Sequence, residues 1–254
     1  MTVVVKLGGR VQSDPRLAMA VKELWDREAG SLCIVHGGGD EVSALQRSLG
    51  REPHFIGGRR VTTGEDLELV RMVLSGVANK RLVAMLSAAE VPAVGISGED
   101  GALLPAQPID LERFGKAGRP MEPDLRVVST LLAAGFLPVI SPVGTDITAA
   151  DRTALNINGD DAAAAIAGAL GAELWMIADV AGVLEEDGSV VTEIDPAHMS
   201  LLVSAGIVSS GMQAKLEAGF SALSAGSPAV RIASLSAFTD RSCGTSLSLS
   251  PSLR

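Results

Sequence analysis

The chain is poor in the residues on which dedicated metal, disulfide and membrane proteins rely. Its 254 residues include two cysteines, Cys33 and Cys243, far apart, and three histidines. Neither type falls at ligand spacing, so no zinc site and no direct protein ligand to a metal are expected. The thiols read as incidental in a reducing cytoplasm. There is no run of lysine or arginine, and the formal net charge is −9. That balance argues against nucleic acid or an anionic membrane surface as a partner. The apolar stretches stop well short of a bilayer span, and Lys6 with Gly8-Gly9 cuts the first of them. Neither a transmembrane helix nor a signal peptide is expected. The chain also lacks a G-x-x-x-x-G-K-[ST] loop, a G-x-S-x-G elbow and any internal repeat. Without the elbow, His36-Gly37-Gly38-Gly39 loses its hydrolase reading as an oxyanion hole. Without the loop, any nucleotide must be held in another way.

What remains is a globular composition, 47% hydrophobic and 20% charged, long enough for one large α/β domain. Strand-like runs at 3–7, 32–35, 93–96, 137–140, 174–178 and 230–233 alternate with helix-like runs. The latter fall at 15–28, 40–49, 65–89, 124–134, 160–170 and 211–225. Several helices open on an acidic residue and close on a glycine such as Gly50, Gly135 or Gly171. The alternation predicts an open, mainly parallel sheet between two layers of helices, an αβα sandwich. Gly76 inside 65–89 predicts two helices or one with a break. Interrupted extended pieces near 55–62 and 103–118 predict hairpins. No Pro/Ser linker divides the middle, so the expected site is a cleft between two halves of one sheet. The Ser-rich end from Ser246 is expected to fray.

Two strands break directly into glycines. Val3–Leu7 runs into Gly8-Gly9, with Lys6 as the last long side chain, and Ile34-Val35 runs into His36-Gly37-Gly38-Gly39. Glycines after a strand let backbone N–H groups approach an anion closely. Two such turns near the start of an α/β chain suggest two cradles flanking one phosphate. Asn156-Ile157-Asn158-Gly159-Asp160-Asp161 opens an alanine-rich helix. Asn158 or Asp160 could serve there as an N-cap, and an aspartate could orient nearby lysines. Asp179 to Leu184 follows a strand at its carboxyl end, where open α/β sheets bind ligands. Ser209-Ser210-Gly211 precedes Lys215, a cation in the disfavoured first turns of a helix, a placement that a facing phosphate would explain.

Jointly, Lys6-Leu7-Gly8-Gly9, His36 to Gly39, Gly58-Arg59-Arg60-Val61-Thr62, Ala78-Asn79-Lys80, Asn156 to Asp160, Asp179 to Leu184 and Gly211-Met212-x-x-Lys215 resemble the acetylglutamate kinases. These form a branch of the amino acid kinase family. The resemblance runs from residue 3 to about residue 245. It implies an αβα fold and phosphorylation by ATP of the side-chain carboxylate of N-acetyl-L-glutamate, in arginine biosynthesis. Mg2+ would ride on the nucleotide phosphates. Lys6 and Lys215 would stabilise the transferring phosphoryl group, and Asp160 would organise them. Gly8 and Gly9 would cradle the phosphate, and Gly38, Gly39, Arg60, Asn156 and Asn158 would hold the acyl amino acid. The nucleotide wall would comprise Asp179, Val180, Ala181, Gly182, Val183, Leu184, Ser209, Ser210 and Gly211. The resemblance also implies a substrate lobe and dimer surface in residues 1–150, a nucleotide lobe in 151–254, and a cytoplasmic enzyme. The first strand begins at residue 2 or 3, where arginine-inhibited members carry an extra helix. A homodimer insensitive to arginine is therefore expected. The sequence departs from the family in three places: Ala178 before Asp179, Ser209-Ser210 before Gly211, and Gly159 for a common alanine. Two other readings stand beside the main one, a kinase for an N-acetylated or carrier-linked 2-aminoadipate and an inactive amino-acid-binding regulatory domain.

Overall fold

A computed structural model describes residues 2–28 and 30–249, with the backbone but not the side chain of Ser210. The first half runs β1 (Val3–Leu7), α1 (Leu17–Arg27), β2 (Leu32–His36), α2 (Gly39–Ser48), β3 (Phe55–Ile56), β4 (Arg59–Arg60), α3 (Gly64–Val70), α4 (Asn79–Ala88) and β5 (Ala93–Ser97). Next come β6 (Pro105–Pro108), α5 (Leu111–Phe114), β7 (Ala117–Pro120), α6 (Arg126–Ala133), β8 (Leu137–Ser141), β9 (Val143–Asp146) and β10 (Ala154–Ile157). The chain continues through α7 (Gly159–Leu170), β11 (Glu173–Ile177), β12 (Glu193–Ile194), α8 (Pro196–Ser204), α9 (Ser210–Ser224), β13 (Val230–Ala233) and β14 (Thr245–Leu247).

The main sheet has the order β12-β14-β13-β11-β1-β2-β8-β5 and is parallel from β13 to β5. β-Branched runs buried on both faces suit this architecture. In β1 the two-residue period sends Val3, Val5 and Leu7 to one face, where α1 and α4 pack. Val4 goes to the other face, with α7 and α9, and by the same alternation Lys6 follows it. From β1 the chain crosses to β2 by way of α1, and from β11 it crosses to β13 by way of α9, on the opposite face. The switch point therefore lies between β1 and β11. Crevices at the carboxyl ends of strands at such a point are the ligand sites of open α/β sheets.

Four more strands close into a small barrel in the order β10-β7-β6-β9. Together with the β3–β4 hairpin it stands over the strand ends. The cleft lined by Arg60 and Asn156, described below, therefore lies between the sheet and this cover, not between two halves of the sheet. The helix expected to break at Gly76 does not break. Arg71–Ala78 is π-helical and joins α3 to α4 through helical dihedrals. π-Segments of this kind cluster at functional sites. This one brings Leu74 Cδ2 within 2.7 Å of where a Cβ on Gly38 would stand, and Gly38 has φ of +154°. Only glycine fits there. Ser246 lies in β14, paired with Arg231 and Glu193, so the fraying expected from that residue does not begin there.

Asn79 opens α4 beneath the sheet and is fully buried. Its Nδ2 donates to Val139 O at 2.9 Å and lies 3.2 Å from His36 Nε2. His36 Nδ1 lies 2.8 Å from Gly37 O, an arrangement satisfied by a neutral ring that donates from Nδ1. Burial pushes the His36 pKa down to about 4. Gly95 in β5 leaves room for this group, because a Cβ there would lie 2.0 Å from Asn79 Oδ1. Gly95→Ala is expected to cost about 1–3 kcal/mol by overpacking and to lower the thermal midpoint by roughly 4–10 °C. A melting curve that overlays the parent's would contradict this.

Candidate active site

Three charged side chains meet above the switch point. The Lys6 and Lys215 ammonium groups each lie 2.9 Å from the same atom, Asp160 Oδ1. All three are buried. Each arrives by a local rule. Lys6 occupies the last site on the α7/α9 face of β1. Asp160 sits in the first turn of α7, where the Asn158 side chain caps the helix by accepting from the Asp160 N–H at 2.8 Å. Lys215 lies in the second turn of α9, whose N-cap Ser209 accepts from Met212 N.

Burial works to raise the Asp160 pKa, but the two ammonium groups outweigh it and hold the carboxyl well below the usual range. Burial, and then repulsion from Lys6, push Lys215 down to about 8. Two cations share one anion, so the cluster carries surplus positive charge in a low-dielectric place. Such charge is costly unless a further anion completes it.

The two glycine turns touch beside this cluster. A Cβ on Gly9 would stand 3.8 Å from Gly38. Among the described residues, the N–H groups of Gly9, Gly38 and Gly39 donate to no other group, and Gly39 starts α2. A helix N-terminus with unsatisfied N–H groups suits an anion. The Gly8 N–H is already donated to Ile177 O at 2.9 Å, so Gly8 narrows the turn without offering a donor. Gln12, which sequence reasoning missed, ties the turns together by donating to Gly37 O at 2.9 Å.

Gly38, Gly39, Arg60, Asn156 and Asn158 all line one cleft of about 140 Å3. Gly159 lines it too and stands against Lys6, where a Cβ would meet Lys6 Cε at an ordinary 3.5 Å. The family's alanine would fit there without strain. Arg60 is buried, and burial lowers its pKa. Its hydrogen bonds go to neutral groups: Gly39 O at 2.7 Å, Ser43 Oγ at 2.8 Å and Gln46 Oε1. The Asn156 amide donates to Thr62 Oγ1 at 2.9 Å. Sequence reasoning also missed Arg59, which lines this cleft and pairs with Asp161 at 3.0 Å. Both residues stand inside the quoted motifs, but nothing in the sequence joins them.

The nucleotide-wall residues are not gathered into one cavity. Asp179 meets Arg10 at 3.1 Å at the mouth of a separate depression, and Leu184 is exposed. Val183 is part of the core, with its N–H donated to Thr245 Oγ1 at 2.8 Å and its carbonyl accepting from the Val191 N–H, and Gly182 packs against Thr245 and Val190. Val180 is half-buried, Ala181 is exposed, and Ser209 and Gly211 are exposed at the start of α9. The Ser210 side chain lies outside the described residues. Among the described residues no group of three or more acidic, histidine or cysteine side chains could hold a metal ion.

The sequence profile of the amino acid kinase family matches residues 1–234. The chain belongs to the amino acid kinase family. An acetylglutamate kinase of Geobacillus kaustophilus is 43% identical over 235 residues, 92% of this chain and 90% of that one. One from Paracoccus denitrificans is 42% identical over 91% of this chain and 76% of its own. Among solved structures, a Streptococcus mutans protein superposes with a TM-score of 0.85 at 27% identity, covering 98% of this chain and 99% of its own.

In this amino acid kinase the lowered Lys215 pKa has a stability signature. From about pH 8 to the ordinary lysine value near 10.5, the unfolded chain holds a proton that the folded chain has lost. Stability contributed by this group therefore rises with pH in that window. Denaturant titrations are expected to show the parent gaining on Lys215→Met by about 3 kcal/mol between pH 8 and 10.5. A pH-independent difference would contradict the assignment.

Proposed function

We propose that the chain transfers the γ-phosphoryl group of ATP to the side-chain carboxylate of N-acetyl-L-glutamate. The carrying observation is the pair of buried ammonium groups on one carboxylate oxygen, beside a cleft whose buried arginine is bonded only to neutral groups. Acetylglutamate kinases at 42–43% identity over nine-tenths of the chain support the same reading. The two lysines speak against the inactive regulatory domain.

A side-chain carboxylate has a pKa of about 4.3, so the nucleophile is already ionised near neutral pH. No general base is required, which accords with a His36 held neutral below the sheet. A carboxylate oxygen bonds to the γ-phosphorus while the bond to the β–γ bridging oxygen breaks, and ADP leaves with that electron pair. The work is positioning and charge stabilisation. Arg60 grips the α-carboxylate, and Asn156 and Asn158 orient the backbone-like part. Gly38 and Gly39 line the approach. Lys6 and Lys215 take up charge on the phosphoryl oxygens, with the Gly9 N–H beside them. Residues 179–184 and 209–211 flank the nucleotide, and Mg2+ carried on the phosphates would neutralise part of their charge. Within this reading residues 1–150 bind the acyl amino acid and form a homodimer, and residues 151–254 bind ATP. The enzyme works in the cytoplasm. Among the described residues no helix is long and apolar enough to cross a membrane. Aminoadipate differs from glutamate by one methylene, worth about 1–3 kcal/mol of discrimination.

Trapping of the acyl phosphate with hydroxylamine tests the roles separately. Lys215→Met is expected to lower kcat by roughly 10²–10³ with a smaller change in KM. Arg60→Lys, which loses the planar fork, is expected to raise the KM for N-acetyl-L-glutamate by about 30-fold with kcat nearly kept. The reverse pattern in either variant would reassign that residue.

A further inference from the structure

A second and larger cleft, about 860 Å3, adjoins the acyl-amino-acid cleft. The two clefts share Arg59 and Ile109 in their walls. One wall of the second is made of small residues on two helices: Ala164, Ala165 and Ala169 of α7, and Ala218 and Ser221 of α9 with Ala225 at its C-cap. Ile56, Phe114 and Met121 also line it, and Arg119 and Glu122 are exposed lining residues that supply polar groups. Close helix packing explains some of the small residues, since a Cβ on Gly168 would lie 2.5 Å from the Ala225 Cβ. It does not explain all of them. Ala162, Ala163, Ile166 and Ala167 are fully buried in the core, whereas Ala165 is half-buried and Ala169 exposed.

The orientation follows from the proposed function, on which this inference rests. With the α-carboxylate on Arg60 and the reacting carboxylate toward Lys6 and Lys215, the acylamino group is the arm left over. Ile109 and Arg59 form the part of the first cleft that continues into the second. The Arg59–Asp161 pair stands at the boundary. An acetyl group needs none of the space beyond it. We propose that the second cleft is an extension of the acyl subsite, and that the enzyme phosphorylates N-acyl-L-glutamates whose apolar acyl chain is several carbons longer than acetyl. The bonds made and broken are the same as for the acetyl substrate.

The test compares N-acetyl- and N-hexanoyl-L-glutamate with ATP and Mg2+ in the hydroxamate assay. The expected kcat/KM for the hexanoyl compound lies within tenfold of that for acetyl. Ala165→Trp is expected to cut the hexanoyl value at least 30-fold. Ala169→Phe, at an exposed position, is expected to do the same in part if the tryptophan variant fails to fold. The ratio of hexanoyl to acetyl kcat/KM is the deciding quantity. A parent enzyme that turns over acetyl but disfavours hexanoyl more than 100-fold overturns the inference. So does a hexanoyl-to-acetyl ratio that neither folded variant changes. Hexanoyl turnover without acetyl turnover supports the cleft and refutes the acetyl assignment. No turnover of either refutes the proposed function, and this inference with it.

Discussion

One carboxylate oxygen holds two ammonium groups, and the surrounding structure is arranged to make that possible. Asp160 Oδ1 lies 2.9 Å from both Lys6 and Lys215, residues on a strand and a helix that meet only through the fold. A shift of β1 by one residue would turn Lys6 to the α1 face, because side chains alternate with a period of two. Loss of the Asn158 cap would loosen the turn that aims Asp160. The small residues Gly168 and Ala225 let α7 and α9 approach closely, which keeps Lys215 within reach. An isolated buried ammonium would shed its proton, and a single ion pair would be electrically complete. A shared carboxylate leaves a socket that is ordered in advance and still short of an anion. Fixed charge of this kind lowers a barrier because it need not reorganise during the reaction.

The cleft around Arg60 repeats the logic in a milder form. Arg60 is buried and oriented by Gln46, Ser43 and Gly39, none of them charged. Its nearest carboxylate along this network is Asp66, one hydrogen bond beyond Gln46 and itself the N3 residue of the α3 capping box. The guanidinium is therefore aimed without being neutralised. Beneath both sites, the neutral His36 and Asn79 tie α4 to the sheet with hydrogen bonds, so this support adds no charge to compete with the sites above it.

The legible parts of the sequence were those with a local signature. The six strand-like runs correspond to β1, β2, β5, β8, β11 and β13, and the six helical runs to helices within a few residues. Lys6, Asp160 and Lys215 stood out because each sits beside a glycine turn or a helix start. Less legible were the barrel strands β9 and β10, since Val143–Asp146 and Ala154–Ile157 are short and become strands only by pairing with each other and with β6 and β7. Helix α8 shows no single apolar stripe, and β12 and β14 are short strands of two and three residues at one end of the sheet. The Arg59–Asp161 pair spans 102 positions, and the cation that meets Asp179 is Arg10, 169 positions away. Contacts at such separations are products of topology, and spacing along the chain does not encode them.

The account turns on whether both lysines reach one phosphoryl group while Asp160 still holds them. The most direct measurement is a crystal structure with N-acetyl-L-glutamate, MgADP and tetrafluoroaluminate in the site. The account predicts both ammonium groups within about 3.2 Å of the fluorides, with Asp160 Oδ1 remaining in contact with each. A complex in which either lysine stays clear of the fluorides, or in which Asp160 swings away from both, would contradict it.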